Sequence, residues 1–286
     1  MEKSILLLYC IDQKGIVAKV TTFLYKNNAN ILSSNQHSDH KSNMFYMRIE
    51  FDISNFLIKK QDIKTEFYKN VAKALDINFK IYFEDEKINS AIFVSGYEHC
   101  LIDILLKNNT NDLNMNIKAI ISNHSTIENV VKKYSKGLDF FYISIDKNNK
   151  DLAEKQELEI LQKYNVNLII LARYMQILSD NFISLYENKI INIHHSFLPA
   201  FMGANPYKKA FDRGVKLIGA TSHYATAILD DGPIIEQDVI RISHKDSELD
   251  LINRGKDLEK RVLSRAIKLH LEHKILVANK KTIIFD

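Results

Sequence analysis

Short apolar runs and helically spaced apolar residues alternate along the first 83 residues. Between residues 44 and 52 every second position is apolar, which predicts a strand with one apolar and one polar face. The predicted elements are a strand at 4–10, a helix opening after Asp12, strands at 28–34 and 44–52, a helix at 60–75 and a strand at 78–83. This βαββαβ order predicts a ferredoxin-like domain, with a four-stranded antiparallel sheet and two helices on one face.

The pattern of apolar and polar residues changes after the charged segment 84–87, so we expect two domains, residues 1–84 and 88–286. Strand-like and helical patterns then alternate, which predicts a Rossmann-like α/β domain with a mostly parallel sheet. Its predicted strands are 90–95, 117–122, 140–145, 167–172 and 190–194. Its predicted helices are 100–107, 126–134, 152–164, 182–187 and a long one at 249–273, followed by a hairpin around 279–280. Ligands of such sheets bind beyond the carboxyl ends of the strands.

Composition narrows the class of protein. Of 286 residues, 46% are hydrophobic and 26% charged, as in ordinary globular proteins. No apolar run approaches the roughly 20 residues that span a bilayer, so we expect a cytoplasmic protein without membrane contact. Cys10 and Cys100 form no CxxC motif and are expected to be reduced. The net charge of +4 comes from dispersed lysines, which does not indicate a nucleic-acid partner.

One stretch concentrates the residues that specify backbone conformation. All three prolines and four of the eight glycines lie between residues 192 and 233. The same stretch holds the side chains best suited to polar chemistry: Asn192, His194, His195, His223, Asp230 and Asp231. We therefore expect the active site here, at the carboxyl end of predicted strand 190–194.

Asn192 and His194 stand two residues apart on a strand, so their side chains leave the same face. An Asn amide donates hydrogen bonds without titrating, and a His beside a carboxylate such as Asp230 is held protonated. These donors suit an oxyanion while the carboxylate accepts a proton, which fits acyl transfer through a tetrahedral intermediate. Two alternatives stay open: chance occurrence of these residues, and a metal site on His194, His195, His223 and an Asp, although adjacent histidines on a strand point to opposite faces.

The pattern D-x-x-G-I-V-A at residues 12–18, with NIL at 30–32 and FYMRIEF at 45–51, resembles an ACT domain. The resemblance implies a module that binds a small amino-acid effector and pairs through its sheet, so a homo-oligomer is expected. Gly15 would let the effector approach outward-pointing N–H groups at the turn. A domain that only dimerises or supports its neighbour is the open alternative.

Three later motifs resemble the formyl transferases that use 10-formyltetrahydrofolate: N-I-H-x-S-x-L-P at 192–199, G-x-N-P-Y at 203–207 and H-x₆-D-x-G-P-I-I at 223–235. The resemblance implies that the catalytic triad is Asn192, His194 and Asp230.

The same resemblance implies a folate pocket built from segments 171–178 and 225–229. The expected substrate-binding residues are Met175, Gln176, Ile177, Leu178, Ala225, Thr226 and Leu229. Gln176 stands where many folate-formyl enzymes have an arginine for the glutamate tail, which leaves Arg173 as a substitute. Residues expected around the triad without an assigned chemical step are His99, His195, His223 and Gly203.

Loop 95–101 separates the branches of this family. In glycinamide ribonucleotide formyltransferases a Gly-rich loop, G-x-G-S-N-L, holds the substrate phosphate. Here the loop reads S-G-Y-E-H-C-L, without the second glycine and with Glu98, which would repel phosphate. An ACT domain in front of a formyltransferase domain is the arrangement of the formyltetrahydrofolate deformylase family, which the chain resembles along its whole length.

This resemblance implies a hydrolase acting on a linear amide C–N bond. It would convert 10-formyltetrahydrofolate and water to tetrahydrofolate and formate without a cofactor or metal, supplying formate for purine synthesis and balancing one-carbon folate pools. The main alternative is formyl transfer to an amine acceptor. An amino-acid-sensing regulator with a vestigial catalytic domain is a further alternative, against which the complete Asn-His-Asp triad argues.

Overall fold

The structure is a computed structural model that describes residues 2–135, 137–146, 148–200 and 206–286. It contains two compact units. The first unit runs to Glu86 and includes His273–Leu276 and Ile283–Asp286. The second unit comprises Lys87–Glu272 and Val277–Thr282. The domain boundaries expected from the sequence, 1–84 and 88–286, stay a prediction.

The first unit has the predicted ferredoxin-like fold. Its strands are β1 (Lys3–Ile11), β2 (Asn30–Asp39), β3 (Met44–Asp52) and β4 (Asn78–Phe83). They form an antiparallel sheet in the order β2-β3-β1-β4. Its helical segments are α1 (Ile16–Lys26), a 3₁₀ turn (Lys60–Asp62), α2 (Ile63–Phe67), a π-helical turn (Tyr68–Ala72) and α3 (Lys73–Leu75). Strand β2 extends beyond the predicted strand 28–34, because it pairs with β3 as far as Asp39 and Met44.

Strand β3 is covered on both faces. The apolar face of β3, including Met47 and Phe51, packs with Phe67 of α2 in one buried cluster. On the other face Arg48 is buried, and its Nε donates to the carbonyl oxygen of His273 at 3.1 Å. The alternating pattern of β3 did not predict this second cover, because His273 lies 225 residues further along the chain.

The second unit contains a seven-stranded sheet. Its strands are β5 (Asn89–Val94), β6 (Asn116–Ser122), β7 (Asp139–Tyr142), β8 (Leu168–Leu171), β9 (Ile190–His194), β10 (Leu217–Tyr224) and β11 (Ile234–Arg241). The order is β11-β10-β9-β8-β5-β6-β7. The five strands from β5 to β9 pair in parallel, and β10 and β11 are antiparallel. The expected mostly parallel sheet is confirmed.

Strands β10 and β11 were not among the predicted strands. β10 reads LIGATSHY and lacks a continuous apolar run, yet all but its first residue are buried. The hydroxyls of Thr221 and Ser222 are accommodated by donating to the carbonyl oxygens of Ser196 and Asn192. Buried polar groups with partners carry little penalty, so hydropathy alone underrates such a strand.

Helices flank this sheet. They are α4 (His99–Asn109), α5 (Ile127–Tyr134), α6 (Lys150–Lys163), α7 (Asp180–Leu185), α8 (Pro206–Arg213) and α9 (Glu248–Leu271). α9 begins with a capping box between Ser247 and Asp250. The predicted terminal hairpin is confirmed as β12 (Ile275–Ala278) and β13 (Lys281–Ile284). Across the described part of the chain, no helix combines the length and apolarity needed to span a bilayer.

The order of the strands indicates where a ligand would bind. β6 lies on one side of β5 and β8 on the other, so the direction in which the sheet grows reverses at the β5–β8 pair. In open α/β sheets, ligands bind at such a reversal, beyond the carboxyl ends of the strands. β5, β8 and β9 all end at this edge.

Candidate active site

Strands β9 and β10 bring the expected triad together. Asn192 and His194 lie on β9, and the antiparallel register places His223 of β10 opposite Asn192. Asp230 follows in the loop before β11, with a φ of 57°. Non-glycine residues keep this left-handed conformation where their surroundings impose it. Gly232 permits the turn, since a Cβ there would lie 1.7 Å from a backbone carbonyl oxygen of β10.

The hydrogen bonds of His194 indicate a doubly protonated ring. Its Nδ1 lies 3.2 Å from Asp230 Oδ1, and its Nε2 lies 2.9 Å from Ser196 Oγ. The Ser196 hydroxyl donates its only proton to the carbonyl oxygen of Ala200 at 2.8 Å, so it accepts a hydrogen bond from His194 Nε2. An ionised Asp230 only accepts, so both ring nitrogens of His194 donate. In agreement, the hydrogen bond from His194 holds the pKa of Asp230 well below its usual range.

His223 positions the Asn192 amide. Its Nδ1 donates to the carbonyl oxygen of Tyr224 at 3.0 Å, which leaves Nε2 of the neutral ring to accept from Asn192 Nδ2 at 3.2 Å. The Nε2 atom is 3.7 Å from Asp230 Oδ1, beyond hydrogen-bond distance, so His194 is the closer imidazole partner of Asp230. Within the described part of the chain nothing accepts from the second N–H of the Asn192 amide, so this N–H can donate to a substrate oxygen.

A cavity of about 470 Å³ opens beside the triad. All seven residues expected to bind the substrate line it: Met175, Gln176, Ile177, Leu178, Ala225, Thr226 and Leu229. Met175 is 53% exposed, whereas Leu178 is 7% exposed and belongs to the core cluster of the sheet. Exposed apolar walls with a few convergent polar groups are typical of a small-molecule site.

The segment after β8 that forms one wall of the cavity is fixed at three points. Met175 N donates to Ser95 Oγ at 2.9 Å, which ties the segment to the end of β5. The Tyr174 hydroxyl donates to Glu157 Oε1 at 2.6 Å, and Ser179 N donates to Glu154 Oε1 at 2.7 Å, both on α6. This wall is therefore held by one buried and two partly buried hydrogen bonds.

A second polar cluster lines the same cavity around Glu259 of α9. Glu259 is 1% exposed; its Oε2 accepts from His99 Nε2 at 2.8 Å and its Oε1 from the Tyr207 hydroxyl at 2.5 Å. Arg173 Nε lies 3.4 Å from Glu259 Oε2, and its guanidinium lies over the Tyr97 ring at 4.9 Å. Sequence reasoning assigned no role to Glu259, Tyr207 or Tyr97.

One sequence signal could have revealed this cluster: an isolated glycine inside the long helix α9. A Cβ at Gly255 would lie 2.2 Å from the ring of Tyr207. Gly255 therefore admits the Tyr207 ring, whose hydroxyl reaches Glu259 one turn further along α9. A glycine within a helical pattern commonly has such a packing reason.

The remaining expected residues flank the triad. The ring of His195 lies 5.3 Å from that of His194 and 6.1 Å from that of Tyr207, measured between centroids. Burial and the nearby Arg173 charge lower the pKa of His195 to about 4, so its ring is neutral at physiological pH. His99, His195 and His223 all line the cavity. Gly203 lies outside the described residues.

One group of residues resembles a metal site in its spacing. His99, Cys100 and Glu259 each place one ligand atom within 4.8 Å of the others. Burial raises the pKa of the Cys100 thiol well above its usual range, which disfavours the thiolate that a metal needs. His99 already donates to Glu259, so the hydrogen bonds account for this group.

Comparisons with known proteins agree with both units. Residues 88–267 match the formyl transferase family, and residues 4–61 match the ACT domain. The chain is 46% identical over 280 residues to a formyltetrahydrofolate deformylase from Synechocystis sp., covering 98% of this chain and 97% of that protein. It is 46% identical over 286 residues to one from Bacillus subtilis, covering 100% and 94%.

Solved structures give the same assignment. A formyltetrahydrofolate deformylase from Pseudomonas syringae pv. tomato superposes with a TM-score of 0.96 at 38% identity, covering 100% of this chain and 95% of that one. The chain therefore belongs to the formyltetrahydrofolate deformylase family.

Proposed function

We propose that the chain hydrolyses 10-formyltetrahydrofolate to tetrahydrofolate and formate. The observation that carries the proposal is the His194–Asp230 pair, 3.2 Å apart, beside a cavity with exposed apolar walls. The relatives that match the whole chain are named for this hydrolysis, which favours water over an amine as the acceptor of the formyl group.

In the proposed mechanism Asp230 accepts one proton of the attacking water, directly or by relay, while the oxygen adds to the formyl carbon. The resulting oxyanion takes a hydrogen bond from Asn192. Both N–H groups of His194 are engaged, with Asp230 and Ser196, so His194 contributes its positive charge rather than a free donor. Collapse breaks the C–N bond, N10 takes the proton from Asp230, and formic acid releases its own proton to give formate.

Water and the folate are the only reactants in this scheme, and no cofactor or metal is assigned to it. Met175, Ile177 and Leu178 would wall the pterin, and Thr226 and Leu229 would close the pocket from the loop before Asp230. The proposed role in the cell is supply of formate for purine synthesis and balance of the folate pools, in the cytoplasm and as a homo-oligomer.

Formate release with and without added glycinamide ribonucleotide tests the proposal. We expect stoichiometric formate and tetrahydrofolate at the same rate in both assays, because water is the acceptor. Loss of the formyl group only when the amine is present would favour the transferase alternative. Failure to release formate at high enzyme concentration would favour a regulatory protein without catalysis.

An amino-acid effector in the first unit is proposed on the ACT resemblance and on Gly15, which adopts a φ of 90° before α1. A thermal-shift panel of amino acids, glycine and methionine included, tests this. A true effector at 100 times its Kd should stabilise the protein by about 2.7 kcal/mol. If no amino acid raises the melting temperature, the first unit has a purely structural role.

A further inference from the structure

The guanidinium of Arg173, at the cavity wall, has buried hydrogen-bond donors without an acceptor among the described residues. Arg173 is 7% exposed and lines the cavity wall. Its Nε and Nη1 atoms find no hydrogen-bond acceptor among the residues that the structure describes. Buried polar groups are nearly always paired, so a charged group whose buried donors find no acceptor among the described residues is suited to a bound acceptor.

Glu259 forms an ion pair with Arg173 but accepts no hydrogen bond from it. Its two oxygens already accept from His99 and Tyr207, at 2.8 and 2.5 Å. Its nearest oxygen is 3.4 Å from Arg173 Nε, too poorly aligned for a hydrogen bond. Glu259 therefore balances part of the charge of Arg173 and leaves the Nε and Nη1 donors of its planar fork without an acceptor.

The surroundings hold this fork rigidly in place. The Tyr97 ring lies 4.9 Å from the guanidinium carbon. The Arg173 backbone has a φ of 64°, a left-handed conformation, and its carbonyl oxygen accepts from Ser95 N at 3.2 Å. A non-glycine residue keeps such a backbone only when its surroundings impose it, and these positions cluster at ligand sites. The neighbouring His195 is neutral, so Arg173 is not repelled by a second buried cation there.

We propose that Arg173 forms a carboxylate subsite that takes formate, the anionic product of the hydrolysis proposed above, on which this inference rests. The planar fork of arginine matches the two oxygens of a carboxylate. The subsite and the triad share one cavity: the His195 ring neighbours both His194 and Tyr207, and Tyr207 binds Glu259. The ring of His195 is therefore close both to the triad and to the cluster that holds Arg173.

Product inhibition tests the subsite. The inhibition constant of formate is measured for the wild type and for Arg173→Met, with binding of ¹³C-formate followed directly by NMR. We expect Arg173→Met to weaken formate about 10–100-fold, the usual effect of losing hydrogen bonds to a charged group. Arg254→Met is the matched control, because Arg254 pairs with Asp246 at 2.7 Å and does not line the cavity; it should leave formate binding unchanged.

A second variant covers the case in which Arg173→Met fails to fold. Arg173→Lys keeps the positive charge beside Glu259 but removes the planar fork, and we expect it to weaken formate about 3–10-fold. Formate binding equal to that of the wild type in whichever variant folds would overturn the proposal. So would the lack of saturable ¹³C-formate binding to the wild type.

The glutamate tail of the folate also carries carboxylates that Arg173 could bind. A substrate without this tail distinguishes the tail from formate. We compare 10-formyltetrahydrofolate with 10-formyltetrahydropteroate, which lacks the glutamate. If Arg173 binds formate, the ratio of the two KM values should be the same for Arg173→Met as for the wild type. If the two KM values become equal in Arg173→Met, Arg173 binds the glutamate tail, and the formate assignment is overturned. If the wild type hydrolyses neither substrate, the proposed function fails, while ¹³C-formate binding still reports on the subsite.

Discussion

At the level of single side chains, two adjacent histidines differ in charge because of what each one faces. His194 donates to an ionised carboxylate and to a hydroxyl, which favours the imidazolium. His195 is partly buried, and this burial together with the charge of Arg173 lowers its pKa to about 4. The spacing of Asn192 and His194 on a strand predicts that they share a face, but no sequence pattern predicts the opposite protonation of neighbours.

Asp230→Asn should lower turnover about 10²–10⁴-fold, because an amide cannot accept the proton of the attacking water. Folate binding should change little, since the apolar walls of the cavity are intact. Steady-state formate release and equilibrium folate binding measure the two effects. Asp231→Asn is the matched control: Asp231 is exposed and pairs with Lys280 at 2.6 Å, so this variant should keep near-normal turnover. Near-normal turnover of Asp230→Asn would remove Asp230 from the proposed role.

Glu157→Gln should stabilise the protein at alkaline pH. Burial raises the pKa of Glu157 to about 7, and its Oε2 finds no partner among the described residues. A raised folded-state pKa gives stability that is complete below the unfolded value, near 4.5, and is lost as pH rises through about 7. The neutral glutamine avoids that loss, so the variant should gain up to about 3 kcal/mol over the wild type above pH 7.

Urea unfolding from pH 5 to pH 8.5 measures this difference. Glu159→Gln is the matched control, because Glu159 lies two residues away on α6 and is exposed. The free energy of unfolding of Glu159→Gln should change with pH in the same way as that of the wild type. A gain for Glu157→Gln that does not grow with pH would contradict a buried carboxyl that ionises near neutrality.

At the level of elements, helix α9 supplies both a packing surface and part of the cavity wall. Its buried residues, Leu258 and Val262 among them, face the sheet. Gly255 interrupts this pattern to admit the Tyr207 ring of α8, and Glu259 receives the Tyr207 hydroxyl. The amphipathic pattern predicts the helix. Gly255, in contrast, is needed for contact with Tyr207, 48 positions earlier in the sequence, and no local pattern identifies that partner.

Gly255→Ala should destabilise the protein, although glycine to alanine normally strengthens a helix interior by about 0.5–1 kcal/mol. The new Cβ would meet the Tyr207 ring at 2.2 Å, and overpacking of this kind typically costs about 1–3 kcal/mol. Thermal unfolding and formate release should both decline. Asn253→Ala, at an exposed position of the same helix, should be neutral or slightly stabilising; a stability gain for Gly255→Ala would show that Tyr207 moves aside freely.

At the level of the whole molecule, sequence patterns predict elements well and long-range partners poorly. The βαββαβ order and the parallel strands were predicted because each depends on residues within about ten positions of one another. The cover of β3 by His273 and the meeting of His99 with Glu259, 160 residues apart, depend on the complete fold. The motifs identified the expected triad and the seven expected residues that line the cavity, whereas Arg173 received only a loose assignment to the folate tail.

Residues 273–286 contribute to each of the two compact units. In the first unit, the His273 carbonyl accepts from Arg48 and its ring stacks on Tyr82 at 3.5 Å. In the second unit, the Thr282 hydroxyl donates to the Ile234 carbonyl oxygen at 2.6 Å, at the start of β11. This contact supports the strand that follows the loop of Asp230.

A chain ending at residue 272 should therefore lose stability and turnover together. Loss of one partly buried hydrogen bond and one aromatic stack in the first unit alone removes about 2 kcal/mol, or roughly 4–8 °C of Tm. Turnover should fall further than folate binding, because the loop that presents Asp230 loses its support at Ile234. Thermal unfolding by circular dichroism and formate release measure the two effects. Lys280→Ala, which removes only an exposed ion pair, should cost no more than about 1 kcal/mol; a shortened chain as stable and active as this control would show that the terminal hairpin supports neither unit.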